Sequence, residues 1–201
     1  SVFCTDPALT PPPAPPSPPP IPPFDLRCER GRLLDCRIQP CSEFTLRGVS
    51  WYGMEEQYAL PQGLETTHMS PLLDLIAKSG FNVLRVPLAV TSVLDDPTPH
   101  LFGGVVTQLN PRLHQLKYLR VLHHLIREAA SRGLLVLLDM HRLSAGDRNN
   151  PLWYDQRVSE QMLLAAWGRL SAHFCDEWNV VGADLFNEPW AASWGGGDAA
   201  E

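Results

Sequence analysis

Apolar residues along this chain fall into two kinds of stretch that follow one another in turn. Short runs rich in branched and aromatic residues predict strands at 44–53, 81–88, 134–141 and 180–186. Longer stretches that repeat apolar residues every three or four positions predict helices at 70–80, 112–133 and 157–178. Since strands and helices alternate, and the later strands are continuously apolar, we predict an α/β fold with a parallel sheet.

The first predicted helix has recognisable end signals. Ser70 can cap its start, Pro71 suits the first helical position, and Gly80 follows its last turn. Ahead of the first strand, residues 31–48 predict a short hairpin. An open doubly wound sheet and a (β/α)₈ barrel both fit this order of elements. No G-x-G-x-x-G or P-loop motif follows any strand, which weakens a nucleotide-binding version of the fold.

The N-terminal end has a different composition, because eleven of the residues in 7–23 are proline. Such a run lacks amide donors and favours polyproline II, so we predict a semi-rigid spacer. We therefore divide the chain into a Pro-rich, disordered linker at 1–31 and an α/β domain at 32–201. The spacer predicts a tether to a second module or a stalk. The alternatives are a ligand for a Pro-binding domain and a disordered end without a role.

Composition and charge argue against several classes of partner. The 201 residues are 44% hydrophobic and carry a formal charge of −6. This acidic balance disfavours nucleic acid and an anionic membrane surface. No apolar run reaches the roughly 18–20 residues of a membrane span, and no signal peptide is visible at the N-terminus. We expect no nucleic-acid binding and no membrane insertion.

Three of the five cysteines, Cys28, Cys36 and Cys41, lie close together after the proline tract. One disulfide among them fits a secreted protein, but the spacing leaves the pairing open. A zinc site is the less favoured alternative, because no C-x₂-C pair or matching histidine spacing accompanies them. We expect Cys175, within a predicted helix, to be a small core residue.

Polar and aromatic side chains gather at the carboxyl end of each of the four predicted strands. They are Trp51–Tyr52, Arg85, Asp139–Arg142 with His141, and Asn187–Glu188. The carboxyl ends of parallel strands lie at one edge of the sheet, where reactive groups collect in α/β folds. Each group alone has an ordinary structural explanation, such as an arginine that pairs with a buried carboxylate. Four groups at the same end of successive strands predict a functional site.

These residue types suit glycoside hydrolysis, which needs two carboxyl groups at the scissile bond. The acid must hold its proton near neutral pH, which takes burial or a nearby negative charge. Glu188, at the end of an apolar strand, is the candidate acid. We expect Asn187 to donate to a sugar 2-hydroxyl, Arg85 to orient the second carboxylate, and His141 to serve a hydroxyl or that same carboxylate.

Aromatic side chains supply the other part of a sugar site, because their flat faces suit the C–H faces of pyranose rings. The candidate substrate-binding residues are Trp51, Trp153, Tyr154, Trp190 and Trp194. The alternative role for some of them is core or lid packing. Core packing is also the expected role of Trp167 and Trp178, which lie in a predicted helix.

Four segments carry a family resemblance through their order and spacing. They are LRGVSWYGME, SGFNVLRVPL, GLLVLLDMHRL followed by NPLWY, and VVGADLFNEPW followed by SWGGGD. Together they make the chain resemble glycoside hydrolase family 5, the cellulase-type (β/α)₈ barrels, and above all its secreted β-1,4-endoglucanases. The resemblance implies a retaining hydrolase with Glu188 as acid/base. It also implies that Asn187, Arg85 and His141 occupy site positions and that Trp51 is the strand-one aromatic.

In that family the nucleophile is a glutamate at the end of the seventh strand, whereas this chain stops just after the fourth. A complete barrel takes about 250 residues. We therefore expect a (β/α)₈ TIM barrel truncated after about the fourth strand, the N-terminal half of a catalytic domain. Such a half should be marginally stable and inactive alone, because its strand edges and apolar faces are open.

We thus predict an extracellular glycoside hydrolase that acts on a β-linked polysaccharide, as an endo-β-1,4-glucanase does. No metal and no cofactor are implied, since two carboxyl groups suffice for the reaction. A carbohydrate-binding module attached through the proline tract is a further expected partner. The alternative is a non-catalytic cell-wall or carbohydrate-binding protein with a Pro-rich stalk. Mannan, xylan or a β-1,3-glucan are alternative substrates.

Overall fold

A computed structural model of the chain describes residues 24–100, 105–148 and 150–193. The first elements form a small antiparallel sheet in the order β1-β2-β3. Its strands are β1 (Leu26–Glu29), β2 (Arg32–Asp35) and β3 (Ser42–Glu43). The hairpin of β1 and β2 therefore begins before the predicted boundary at residue 32. The rest of the predicted linker, residues 1–23, lies outside the described residues.

One disulfide closes the loop between β2 and β3. It joins Cys36 to Cys41, while Cys28 is a free thiol on the exposed side of β1. A single bridge in this cluster is what the sequence predicted, with the pairing now assigned. The prediction for Cys175 was wrong: its thiol is free and exposed, because the residue caps the C-terminus of a helix and does not lie on its buried face.

The main sheet has four parallel strands in the order β4-β5-β6-β7. They are β4 (Gly48–Ser50), β5 (Val83–Ala89), β6 (Leu135–Arg142) and β7 (Val180–Asp184). The helices are α1 (Met69–Lys78), α2 (Val90–Asp95), α3 (Val105–Leu109), α4 (Tyr118–Ala130) and α5 (Glu160–Phe174), with a 3₁₀ turn at Pro111–Leu113. Each strand lies beside its predecessor. This sequential order is that of a barrel wall, whereas a doubly wound sheet reverses its strand order partway.

Local chemistry moves several boundaries away from the predictions. The strand predicted over 44–53 is limited to the three residues of β4. The helix predicted from residue 112 starts only at Tyr118, because Gln115 has a left-handed backbone (φ 58°) that interrupts it. The helix predicted from residue 157 starts at Glu160, where the Ser159 side chain accepts a hydrogen bond from the Met162 amide.

The predicted cap of α1 was also wrong. Ser70 lies inside the first turn, and the residue at the N-cap position, His68, makes no side-chain cap bond. Instead, Oδ1 of the buried Asn110 accepts from the Met69 amide at 2.8 Å. The amide group of Asn110 in turn donates to main-chain oxygens of Leu64 and Thr67. A residue distant in sequence thus satisfies the start of this helix.

The core lies between the parallel sheet and its helices. β5 contributes side chains to it on almost every residue, and α4 contributes one apolar stripe. The buried stripe of α4 is Tyr118, Leu119, Val121, Leu122, Leu125, Ile126 and Ala129. No helix in the described ranges is long and apolar enough to cross a membrane.

The strand β7 differs from the other long strands because it forms an edge. In the described part of the chain it pairs with β6 alone, and its burial alternates. Val181 is 38% exposed, and Leu185 beyond the strand is 67% exposed. At the other end of β7, Phe24 stacks on Trp178 with ring centroids 5.7 Å apart, which connects the segment before β1 to the main domain.

Candidate active site

The centre of the site is the guanidinium group of Arg85, on β5. Its Nη2 atom lies 3.0 Å from Oδ2 of Asp139 on β6 and 2.9 Å from Oδ2 of Asp184 on β7. The same nitrogen donates to Oδ1 of Asn187 at 3.0 Å. Side chains from three neighbouring strands thus meet at one point, as the position of the residues at strand ends predicted. Arg85 pairs with two aspartates, which is the structural role that the sequence left open for it.

Asp139 and His141 are two residues apart on β6, so their side chains lie on the same face of the strand. Nδ1 of His141 lies 2.6 Å from Oδ2 of Asp139. A carboxylate only accepts, so the bond assigns the proton to Nδ1 and directs Nε2 toward other groups. Both side chains are buried, and Asp139 is fully so.

Burial and the neighbouring groups have opposite effects on the pKa of the Asp139 carboxyl. Burial raises the pKa of Asp139, while the hydrogen bond from His141 and the positive charge of Arg85 act in the opposite direction. The nearby charge of Asp184 adds to the increase in pKa. Within the described residues the second oxygen of Asp139, Oδ1, has no hydrogen-bond partner. The hydrogen bond from His141 and, after it, the ion pair with Arg85 therefore compensate for the burial of this acid.

Asn187 follows β7 and continues its pairing with β6, since its amide donates to the Met140 carbonyl at 3.0 Å. This bond fixes the backbone just before Glu188. An arginine can only donate, so the atom of Asn187 that faces Arg85 is the oxygen. The amide nitrogen is then the group through which Asn187 can address a ligand.

Glu188 lies directly after Asn187 and has an exposed side chain. The described residues therefore leave this side chain open to solvent, although it follows an apolar strand. Its backbone is left-handed, with φ 46°, and its carbonyl accepts from the Trp190 amide at 2.7 Å. A positive φ at a non-glycine residue is uncommon and concentrates at functional sites.

The predicted aromatic residues occupy different environments. Trp190 is 71% exposed, and Tyr154 is 43% exposed with its ring edge-on to that of Trp153, 5.9 Å between centroids. Trp153 is half-buried and donates through Nε1 to Glu160. Trp51 is only 9% exposed and packs in the core, so it presents little surface to a ligand in this part of the chain. Trp194 lies outside the described residues.

Asp184 was missing from the predicted set, and Tyr52 and Asp139 were named only as members of the strand-end groups, without a role of their own. The ring of Tyr52 is 42% exposed and lies edge-on to His141, with 5.6 Å between centroids. Asp139 could have been found from the period of two along a strand, which places it beside His141. Asp184 carried no comparable signal, because its pairing with Arg85 joins residues 99 positions apart.

Comparisons with known proteins agree on one family. A model of the family described as cellulase (glycosyl hydrolase family 5) matches residues 41–200. An endoglucanase from Paenibacillus polymyxa is 31% identical over 159 residues, which are 79% of this chain and 39% of that protein. The major extracellular endoglucanase of Xanthomonas campestris pv. campestris is 31% identical over 156 residues, 77% of this chain and 31% of that protein.

A solved structure shows the same likeness in three dimensions. The endocellulase from Pyrococcus horikoshii, in complex with cellotetraose, matches with a TM-score of 0.73 and 30% identity over 82% of this chain and 43% of that chain. This chain therefore spans less than half the length of each of these three relatives.

Proposed function

The chain belongs to the cellulase family, glycosyl hydrolase family 5, and on that premise we propose that it carries the acid/base part of an endo-β-1,4-glucanase. Its four parallel strands are the first four of the (β/α)₈ barrel. The observation that most supports the proposal is the network of Arg85, Asp139, Asp184 and Asn187 at the strand ends, immediately before Glu188. Endoglucanases among the relatives support a β-glucan as substrate.

In the proposed mechanism, Glu188 donates its proton to the leaving glycosidic oxygen and then activates water as a base. A second carboxylate attacks the anomeric carbon from the face opposite the leaving group and forms a covalent glycosyl-enzyme intermediate. The water activated by Glu188 then displaces that carboxylate from the other face, so the two inversions together leave the product with the configuration of the substrate. That nucleophile is expected on the seventh strand of the barrel and is not assigned to a residue of this chain.

Asn187 has the role of holding the sugar next to Glu188. Its oxygen is engaged by Arg85, so its amide nitrogen is the donor available for the 2-hydroxyl, a contact that strengthens in the transition state. Arg85 is itself held by two aspartates, which leaves its side chain little freedom to move. Such preorganised donors contribute to catalysis because they need no reorientation during the reaction.

His141 completes the polar part of the proposed site. Because Nδ1 is bound to Asp139, the Nε2 atom is the one that can meet a sugar hydroxyl or the second carboxylate. Exposed rings of Trp190 and Tyr154 are proposed to flank the glucan chain, with Trp153 behind Tyr154. Trp51 and Trp194 stay predicted contacts in the complete cleft.

The proposal is tested with the longest natural polypeptide that contains this segment, assayed on carboxymethyl cellulose. Loss of the acid/base in Glu188→Gln should lower kcat by about 10²- to 10⁴-fold, the usual contribution of general acid–base catalysis. Glu43→Gln, an exposed glutamate on β3, is the matched control and should leave kcat unchanged. Proton NMR of the first product should show the β-anomer. Wild-type turnover by Glu188→Gln would contradict the proposal.

The alternative is a carbohydrate-binding protein without turnover. The exposed position of Glu188 in the described part of the chain is the observation that favours it. Binding of cello-oligosaccharides without any release of reducing ends by the same polypeptide would select this alternative. We further propose secretion, since one relative is an extracellular endoglucanase, and a second module attached through the proline tract.

A further inference from the structure

One peptide unit beside the site is held at both of its ends. The carbonyl of Tyr52 accepts from the Gln62 amide at 2.8 Å. The other side of the same peptide, the Gly53 amide, donates to Oε2 of Glu55 at 2.7 Å. Rotation of this peptide would break both bonds at once. Its orientation is therefore fixed, and with it the direction in which the Tyr52 side chain leaves the backbone.

Steric packing around Gly53 reinforces this arrangement. The residue has φ +123°, a backbone conformation that residues with a side chain rarely adopt. A Cβ atom added there would lie 2.1 Å from the Leu60 carbonyl oxygen and 2.7 Å from the Gln62 amide. The main chain after Tyr52 is thus packed directly against the segment 60–62, and a side chain at position 53 would overlap that segment.

Glu55 is an unusual residue to find in this position, because it is only 1% exposed. A buried carboxyl is costly unless its oxygens are bonded, and here the Gly53 amide and the positive charge of Arg142 offset that cost. The main-chain carbonyl of Glu55 also accepts from the Gly146 amide, 3.0 Å away in the segment after β6. Glu55 thus connects the segments that follow β4 and β6.

The ring that this arrangement fixes is exposed to solvent. Tyr52 is 42% exposed and lies edge-on to His141, one of the site residues. An exposed phenol ring beside polar groups at the strand ends offers a flat apolar face and a hydroxyl to a sugar. The neighbouring Trp51 is engaged differently, because its indole donates to the Gln62 carbonyl and packs in the core.

We propose that Tyr52 is a glucan-binding surface of the site and that Glu55 is the positioning residue that holds it there through the Tyr52–Gly53 peptide. The first part of this inference rests on the proposed function, since it takes a β-glucan as the ligand. The second part concerns the protein alone, so it is decided by a measurement that needs no ligand.

The experiment uses the longest natural polypeptide that contains this segment and two readouts, amide hydrogen exchange at Gly53 by NMR and cellotetraose binding by calorimetry. Glu55→Ala removes the acceptor and should speed exchange at Gly53 by tenfold or more, with strands β5 and β6 unaffected. It should also weaken cellotetraose binding by about tenfold, as should Tyr52→Ala. Glu55→Gln keeps an acceptor oxygen and should retain both the protection and the affinity.

The chain offers a matched control in Glu65. Its carboxylate accepts from the Gly63 amide two residues earlier at 2.9 Å, the same local bond in an exposed place. Glu65→Ala should leave cellotetraose binding unchanged. If Glu55→Ala does not fold, Glu55→Asp takes its place. Its side chain is one methylene shorter, so it should lengthen the bond to the Gly53 amide and also speed exchange.

The outcomes separate the two parts of the inference. Unchanged exchange at Gly53 in a folded Glu55→Ala or Glu55→Asp variant overturns the positioning role, whatever the chain binds. Unchanged cellotetraose affinity in Tyr52→Ala overturns the binding role of the ring. A wild-type chain that binds no cellotetraose, with Gly53 exchange still dependent on Glu55, counts against the proposed function and leaves the positioning role supported.

Discussion

Replacing Arg85 by methionine tests how strongly the site depends on one guanidinium group. Methionine has a similar length and fits the partly buried position, so the change removes charge and hydrogen bonds with little loss of volume. Three partners lose their donor: Asp139, Asp184 and Asn187. The main consequence is at Asp139, because this carboxylate is fully buried, its Oδ1 has no hydrogen-bond partner in the described residues, and Oδ2 keeps only its bond to His141.

The magnitude follows from the exposure of each partner. Breaking a buried ion pair by removing one member costs about 3–5 kcal/mol, because the other charge stays buried and uncompensated. The Arg85 side chain is 21% exposed, which places this pair at the lower end of the range. Asp184 is 34% exposed, so its share is at most about 1 kcal/mol after screening by water. We expect a total destabilisation of about 2–4 kcal/mol at neutral pH.

Urea unfolding of the 201-residue chain, followed by circular dichroism, measures this loss. The difference between Arg85→Met and wild type should shrink as pH falls toward 4, because protonation of Asp139 removes the charge that lost its partner. Arg27→Met is the control: its ion pair with Asp25 has a similar length, 2.9 Å, but both side chains are about half exposed. Its loss should destabilise the chain much less than Arg85→Met does, because water screens this pair. An equal effect of the two variants at pH 7 would refute the reasoning.

Three further predictions concern stability and association. Asn110→Ala leaves the Met69 amide without its acceptor and should lower the unfolding free energy by about 1–3 kcal/mol in urea; a change under about 0.5 kcal/mol would show that water replaces the bond. Burial raises the pKa of Glu55. The positive charge of Arg142 opposes this increase, the negative charge of Glu56 adds to it, and Tyr118 also lies nearby. The folded state then holds this proton more tightly than the unfolded state, so stability should fall as pH rises above 4.5 through the raised pKa. Glu55→Gln should flatten this dependence of the unfolding free energy on pH. An unchanged dependence would contradict the role given to Glu55. Val181→Lys on the exposed edge β7 should reduce self-association in sedimentation experiments; equal sedimentation of both proteins would argue that the edge is not the contact.

The sequence predicted the elements whose signal is periodic. The continuous apolar runs at 83–89 and 135–142 are strands because both of their faces are buried, and the stripe of α4 is the buried side of a helix. The meeting of Arg85 with Asn187 could also be anticipated, since strand direction alone brings their ends together. These features depend on patterns within one segment or on a general rule of topology.

Features that depend on a single contact between distant residues were not predicted. Asn110 caps α1 from 41 positions away, and only the tertiary fold brings the two together. The buried position of Glu55 is equally invisible, because a glutamate in a loop is usually exposed. The bond from the Trp51 indole to the Gln62 carbonyl, and the packing of this ring in the core, were likewise not predicted.

The two halves of the proposed chemistry differ in how completely this chain supplies them. The groups that would hold a sugar, Arg85 with Asn187 and the ring of Tyr52, are fixed by contacts within the described residues. The second carboxyl group that the reaction needs is not assigned to a residue of this chain, so only the acid/base half of the pair is proposed for it. We therefore expect the 201-residue chain to bind cellotetraose without hydrolysing it. Release of shorter cello-oligosaccharides by the purified chain, detected by chromatography and abolished in Glu188→Gln, would show that this chain already supplies both carboxyl groups and would overturn this division.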